Sequence, residues 1–433
     1  MHTDLKTYLE QAEGRIVVLH GESTAAIQAI LSAFMLNGVC HYYRARPASE
    51  REQLYQLKNE LLFARKLPAY PGWEEILAAV FEESSGKQIL ILDEYHYIEK
   101  SSPQFIETLA DVVDKYADSS EVSAVLVSSH VGWVKHGLMA KVQARPGLGV
   151  TFMAVGEQSF FELYAQYGAH SFTGALESYA ILGGDPGLWC HFDKKLSSQQ
   201  NICRNILAPA AYLHSHGERV LGLELREVGI YATILAAIAA GRHTLAQIHA
   251  HTGFSRAKIS VYLKNLMELG LVEKTAGYEI VNHFVHFHFQ YLYPHYSDLA
   301  RISANEFYKK HIAPTFKSYV SSYFKKVCMA WMAEQIGEMA FIHKPDTQAL
   351  DIVGSGPKGQ TYIAQCNNEK PLMTYDDYEW LLFCAKEADI SPDHIYLFSI
   401  GHFDERLSLE AKVRKNIHLV GAKELEQKKP IYR

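Results

Sequence analysis

Residues Gln88–Tyr97 read QILILDEYHY. The apolar run Ile89–Leu92 is short and continuous rather than alternating, which is the pattern of a strand buried on both faces. It ends in two adjacent acids, Asp93 and Glu94. A carboxylate pair in that position can hold Mg²⁺ and activate water at a nucleotide site. The bland alternative is acids that cap the next helix or face solvent.

The runs on either side are of the same kind. Arg15–Leu19, Val39–Arg44, Ser123–Val127 and Val150–Val155 read as further strands, and Thr24–Phe34, Glu50–Lys66, Trp73–Glu83 and Pro103–Tyr116 as helices between them. Strands separated by helices imply a parallel sheet covered on both faces, with ligands at the carboxyl ends of the strands. Gly21, Asp93 and Ser128 fall at such ends. The stretch Val17–Gln28, VVLHGESTAAIQ, stands where a phosphate-binding loop is expected. Such a loop needs glycines for close backbone approach, a lysine for the phosphates and Ser/Thr for the metal. Gly21 supplies the first glycine, but Ala26, Ile27 and Gln28 take the places of the second glycine, the lysine and the hydroxyl, and Glu22 adds a negative charge. Exchanging a positive for a negative charge at ~4–6 Å costs several kcal/mol at an effective dielectric of about 20. The sequence thus carries a Walker B pair beside a degenerate Walker A loop.

From Ser159 to about His214 the pattern is helical, broken by GGDPG at Gly183–Gly187. Between Leu221 and Ile280 three helices and a hairpin are expected. Tyr231, Ile234, Leu235 and Ile238 mark one apolar face. Thr244 and Gln247 have capping-box spacing, and Gly253 ends the second helix. Ser255 opens a third helix with Ile259, Leu263, Leu266 and Leu269 inward, Gly270 ends it, and LVEKTAGYEI follows as a hairpin. This is the pattern of a winged helix-turn-helix. Arg256, Lys258 and Lys264 on its third helix, with Lys274 on the wing, form its basic surface for phosphates and base edges. The plain alternative is the Lys and Arg of any exposed helix.

The chain has 433 residues, 48% hydrophobic and 21% charged, with a net charge of −6. The length suggests two to four domains, and the charge excludes a globally basic nucleic-acid coat but not a local basic patch. Six cysteines with no CxxC pair favour a reducing compartment. The N-terminus MHTDLKTYLEQAEGR has no apolar signal core, and Tyr231–Ala240 is too short to span a membrane, so a cytoplasmic protein is expected. His283, His286 and His288 lie in HFVHFHF, where strand alternation places His286 and His288 on one face. No Cys or second acid joins them at ligand spacing, so packing is expected and no metal site is assigned.

Several blocks, in order, carry a family resemblance: ILILDEYHY, VLVSSH at Val125–His130, SFFELY at Ser159–Tyr164, YAILGGDPG at Tyr179–Gly187, NICRNIL at Asn201–Leu207, the winged-helix block, and YEIVNHFVHFHFQYLYP at Tyr278–Pro294. Together they resemble the prokaryotic AAA-type, STAND-related P-loop ATPases with a winged helix and a C-terminal restriction-endonuclease-like domain of unassigned function. The resemblance implies a P-loop NTPase-like α/β domain (1–157), a helical lid (158–220), a winged helix (221–297) and a nuclease-like α/β domain (298–433). It implies ATP and Mg²⁺ as cofactors, with Asp93 and Glu94 catalytic, and DNA as partner; Ser128 stands at the strand end that senses the γ-phosphate, and in the atypical-switch alternative Gly21 and its neighbours, with Ser23 or Thr24 on the metal, would hold the nucleotide. In the nuclease-like domain it places Asp351 at the strand acid, Gln365-Cys366-Asn367 where Glu-x-Lys belongs, and Lys325 at the first acid. A carboxamide is a poor Mg²⁺ ligand and Asn is no cation. The expected function is a DNA-binding or partner-binding regulator with little catalysis. The alternatives are an atypical ATP switch, in which Arg145 is one candidate cation, and a pure interaction protein.

Overall fold

The computed structural model describes residues 16–21, 27–28, 30–32, 40–61, 67–83, 88–145, 147–155, 157–167, 171–224, 227–337, 339–341 and 350–427. Glu22, Ser23, Thr24 and Ala26 lie outside the described residues. The chain forms two compact units, one of them the region up to Glu157 with Asp185–Gly187 and Glu268–Gly270, the other the remainder.

The first unit is built on five strands: β1 (Ile16–His20), β2 (Cys40–Arg44), β3 (Gln88–Asp93), β4 (Val122–Ser128) and β5 (Val150–Ala154). Their order is β2-β3-β4-β1-β5, and every pairing is parallel. The continuous apolar runs are explained by two cores, one on each face. Ile16, Val18, Leu90, Leu92, Ala124 and Leu126 pack on one side with the helices Trp73–Glu83 and Phe105–Lys115. Val17, Leu19, Ile91, Val125 and Val127 pack on the other with Ile27, Ile30 and Leu31. Residues alternate sides as strand geometry requires, and both sides are apolar because helical residues cover both.

In the second unit, the helices Val228–Ala239, Leu245–Thr252 and Arg256–Glu268 precede an antiparallel hairpin of β6 (Val272–Lys274) and β7 (Tyr278–Ile280). Thr244 caps the second helix through a complete capping box with Gln247, and Gly253 ends it at φ 71°. Ile259, Leu263 and Leu266 are buried; Leu269 is only partly so.

The helix Ala313–Ile336 then leads into a second sheet, of β8 (Ala340–Phe341), β9 (Ile352–Ser355), β10 (Thr361–Asn367), β12 (His394–Ser399) and β14 (Ile417–Gly421), in the order β14-β12-β10-β9-β8. Here β10, β12 and β14 are parallel, β9 pairs antiparallel with β10, and β8 pairs antiparallel with β9. The short strands β11 (Leu372–Met373) and β13 (His402–Phe403) pair separately. One face of the sheet packs on the helix Tyr375–Glu387, and the other joins Trp331 and Val327 of the long helix. That core also takes in Phe160, Phe172 and Leu176 from the helices after Gln158.

The expected strand at HFVHFHF is a helix, His283–Phe287, continuing into a wider turn at His288–Leu292. His and aromatic residues there meet helical spacing as well as alternation, and Asn282 supplies an N-cap by accepting from Val285 N–H. The histidines are fixed individually. His283 Nδ1 lies 2.6 Å from the Tyr179 carbonyl, His286 Nδ1 2.7 Å from the Tyr323 hydroxyl and His288 Nε2 2.9 Å from the Tyr296 hydroxyl.

Burial lowers the pKa of His283 to about 3, and those of His216, His286 and His288 to about 4. A folded-state pKa below the unfolded value means that the unfolded chain takes up protons first as the pH falls. The corresponding stability is therefore full above about pH 6.5 and is lost progressively toward about pH 4. Each such histidine costs about 1 kcal/mol by pH 5.5. Urea unfolding at pH 7.5 and 5.5 is expected to show a loss of about 3–5 kcal/mol from these four groups; equal stability at the two values would contradict their buried, neutral state.

Candidate functional site at the strand ends

The parallel register places Arg44 beside Asp93, and the carboxyl ends of β3, β4 and β1 lie next to one another. Asp93 is 3% exposed. A buried carboxylate must be paired and hydrogen-bonded to remain charged, and Asp93 is surrounded by donors. The Tyr42 hydroxyl donates to Oδ2 at 2.7 Å, Gln28 Nε2 donates to the same oxygen at 3.2 Å, and Glu94 N–H donates to Oδ1 at 3.0 Å. The Arg44 guanidinium stands 3.7 Å from Oδ2. Burial and the Asp93 carboxylate together push the Tyr42 phenol up to about 12, so it remains a donor.

Glu94 has a φ of 53°, a left-handed conformation that is uncommon for a non-glycine residue. Its two oxygens face different partners. Oε1 lies 3.6 Å from Arg44, while Oε2 accepts from the Ser129 hydroxyl at 2.9 Å and stands 3.4 Å from His96 Nδ1. Ser128 is fully buried; its Oγ lies 3.4 Å from His96 Nδ1 and accepts from His130 N–H at 3.2 Å. Burial lowers the His96 pKa to about 3 and lowers that of His130 too. Arg145 pairs with Glu107 at 3.4 Å, and the cation paired with Asp93 and Glu94 is Arg44.

Two loop positions have local structural reasons for their residues. Ile27 is 2% exposed and belongs to the apolar core beneath the sheet. A Cβ on Gly21 would stand 2.2 Å from the Val155 carbonyl oxygen, so glycine is required there by the passing backbone. Gly21 N–H also donates to the Ser128 carbonyl at 3.3 Å.

In the second unit, the outward face of the helix Arg256–Glu268 presents Arg256, Ala257, Ser260, Val261 and Lys264. Lys274 is exposed on the hairpin and Lys258 is half-buried. Arg256, Lys258 and Lys274 make no ion pair among the described residues; Lys258 lies over the Phe254 ring at 4.8 Å and Lys274 over the Tyr278 ring at 5.5 Å. Asp351 just precedes β9. Its Oδ2 accepts from Cys366 N–H at 2.8 Å, and its Oδ1 lies 2.5 Å from Lys325 Nζ. Gln365 Oε1 is buried with no hydrogen-bond partner among the described residues.

Arg44 and Tyr42 are not among the residues expected at the strand ends, and His130 is expected there only as the last residue of the stretch Val125–His130. Arg44 and Tyr42 close a strand whose neighbour is set only by sheet order, and His130 follows β4 by two residues. The available signal was that each ends or follows a run already read as a strand.

Residues 218–291 match the family described as the sugar-specific transcriptional regulator TrmB. The uncharacterized protein MJECL04 of Methanocaldococcus jannaschii is 23% identical over 309 residues, which is 67% of this chain and 69% of that protein. Among solved structures, the Walker-type ATPase PABY2304 of Pyrococcus abyssi aligns with a TM-score of 0.51 at 18% identity, over 67% of this chain and 94% of that one. The ORC2 protein of Aeropyrum pernix aligns at 0.42 and 14% identity, over 67% and 90%. Over the aligned two thirds of the chain the α/β parallel-sheet fold is similar to that of the Walker-type ATPase, and residues 218–291 are similar to the TrmB regulators. No helix among the described residues is long and apolar enough to cross a membrane.

If Gly21 is dictated by Val155, Gly21→Ala should destabilise the protein by about 1–3 kcal/mol, the usual cost of overpacking, in buffer free of nucleotide. Urea unfolding measures this, and a change within experimental error would contradict the close approach.

Proposed function

We propose that this chain is a DNA-binding regulator on a P-loop ATPase scaffold whose phosphate and Mg²⁺ positions no longer fit their ligands. The Gln28 carboxamide stands where a loop hydroxyl would share Mg²⁺ with the β3 aspartate, and it bonds to that aspartate directly. The Tyr42 hydroxyl donates to the same oxygen, Oδ2, and the exposed Arg44 guanidinium stands 3.7 Å from it as a looser ion pair. Mg²⁺ would have to displace these donors from a buried carboxylate, and charge-assisted hydrogen bonds contribute about 1.5–3 kcal/mol each. Ile27 brings no charge to a phosphate. These features support a scaffold role for Asp93, with Glu94 likewise engaged. The C-terminal domain reads in the same way, as a nuclease-like fold without its chemistry. The Lys325 ammonium neutralises Asp351 where a metal would stand, and Gln365 offers an amide in place of an acid.

The observation that carries the DNA-binding reading is the face of the helix Arg256–Glu268. Arginine, serine, valine and lysine are exposed together, and Arg256 is unpaired among the described residues. A recognition helix uses such residues for phosphates, base edges and the thymine methyl. The match of residues 218–291 to a transcriptional regulator supports it. The hairpin adds Lys274 but also exposed Glu273 and Glu279, so the helix is the main contact.

Fluorescence anisotropy with a mixed-sequence DNA duplex tests this. The variant Arg256→Ala/Lys264→Ala is expected to bind about tenfold or more weakly and to reduce the salt slope by about 2, one for each phosphate that is no longer neutralised. Unchanged affinity and slope would place the DNA interface elsewhere or exclude it.

A further inference from the structure

The ends of β3 and β4 bring together Glu94, His96 and His130. One ligand atom from each lies within 4.8 Å of the others. Glu94 Oε2 and His96 Nδ1 are 3.4 Å apart. Bonds of about 2.0–2.1 Å in a tetrahedral zinc site require neighbouring ligand atoms to be separated by about 3.3–3.4 Å. The Glu94–His96 edge already has that length, and the third ligand needs to move in by no more than about 1.5 Å to match it.

The chemistry of the donors agrees with the geometry. The imidazole rings of His96 and His130 lie 3.8 Å apart between centroids. Burial keeps both neutral, the form that offers a lone pair to a metal. His96 is 6% exposed, and its Nδ1 faces Glu94 Oε2 and the Ser128 hydroxyl, each at 3.4 Å. The Ser129 hydroxyl holds Glu94 Oε2, the kind of outer interaction that orients a ligating carboxylate. Asp93, saturated by its own donors, does not compete. Arg44 opposes a cation, but it faces the other oxygen of Glu94, and its side chain is 54% exposed and able to turn into solvent.

We propose that Glu94, His96 and His130 form a binding site for a divalent transition metal of the zinc type, with water completing the coordination. Two imidazoles and one carboxylate select such ions over Mg²⁺ and Ca²⁺, which prefer all-oxygen sites. The site is therefore distinct from a nucleotide's Mg²⁺ and independent of the DNA-binding reading. It would join the loop after β3 to the loop after β4 in place of a bound nucleotide.

The test is a Zn²⁺ titration of chelator-treated full-length protein against a chromophoric competitor, with Co²⁺ absorption as a report on coordination. One equivalent is expected to bind at micromolar concentration or tighter, undisturbed by millimolar Mg²⁺. His130→Gln, at a half-buried position, and Glu94→Gln should each weaken that binding by about tenfold or more. Arg44→Gln should tighten it, because an opposing charge is removed. The chain holds 22 histidines, so His249→Gln, outside the cluster, serves as the control and should change nothing. No binding by the wild-type protein at millimolar Zn²⁺ would overturn the site. So would equal affinity in wild type and His130→Gln, or loss of affinity in Arg44→Gln.

Discussion

A carboxylate buried at the end of a central strand has to be neutralised, and the first unit is organised around how Asp93 meets that demand. In a Mg²⁺-nucleotide site the metal supplies the positive charge. Here the chain surrounds the carboxylate with neutral donors, a phenol, an amide and a backbone N–H, and one positive charge, the Arg44 guanidinium. The arrangement draws on β2, β3 and the helix after β1, so the neutralisation also ties three elements together. Removing one of the hydrogen-bonding donors, such as the Tyr42 hydroxyl, would leave the buried carboxylate short of a partner, which costs more than the bond's own net contribution.

The same solution recurs in the second unit. Asp351 stands at a strand edge, and Lys325 on the helix Ala313–Ile336 reaches it at 2.5 Å. In both places an acid that could hold a metal is instead held by a side chain of the same protein. The two carboxylates are thus held within the chain, while the helix Arg256–Glu268 presents an exposed polar and basic face.

Much of this architecture was legible in the sequence because its signals are local. Continuous apolar runs marked the three central strands of the parallel sheet, β1, β3 and β4, which are covered on both faces. Thr244, Gln247 and Gly253 marked a helix whose capping box and left-handed end are both formed. What stayed hidden depends on long-range register. Nothing near Arg44 or Tyr42 announces that β2 lies beside β3, and Glu94, His96 and His130 meet only because β4 is the other neighbour of β3. HFVHFHF reads as a strand for a different reason. Its residues are buried on nearly every side, so alternation and helical spacing fit equally well until the surrounding tyrosines select the helix. The loop positions Ser23 and Thr24 fall outside the described residues, and the reading of Gly21 as a phosphate ligand competes with the close backbone at Val155.

The proposed scaffold role of the first unit turns on Asp93 being held by the chain's own donors. A calorimetric titration with ATP·Mg²⁺ and ADP·Mg²⁺ tests that most directly. No saturable binding is predicted up to millimolar nucleotide, because the donors around Asp93 would have to be displaced and no loop lysine compensates. Saturable micromolar binding, abolished by Asp93→Asn, would contradict the scaffold role and return the first unit to the working nucleotide switches.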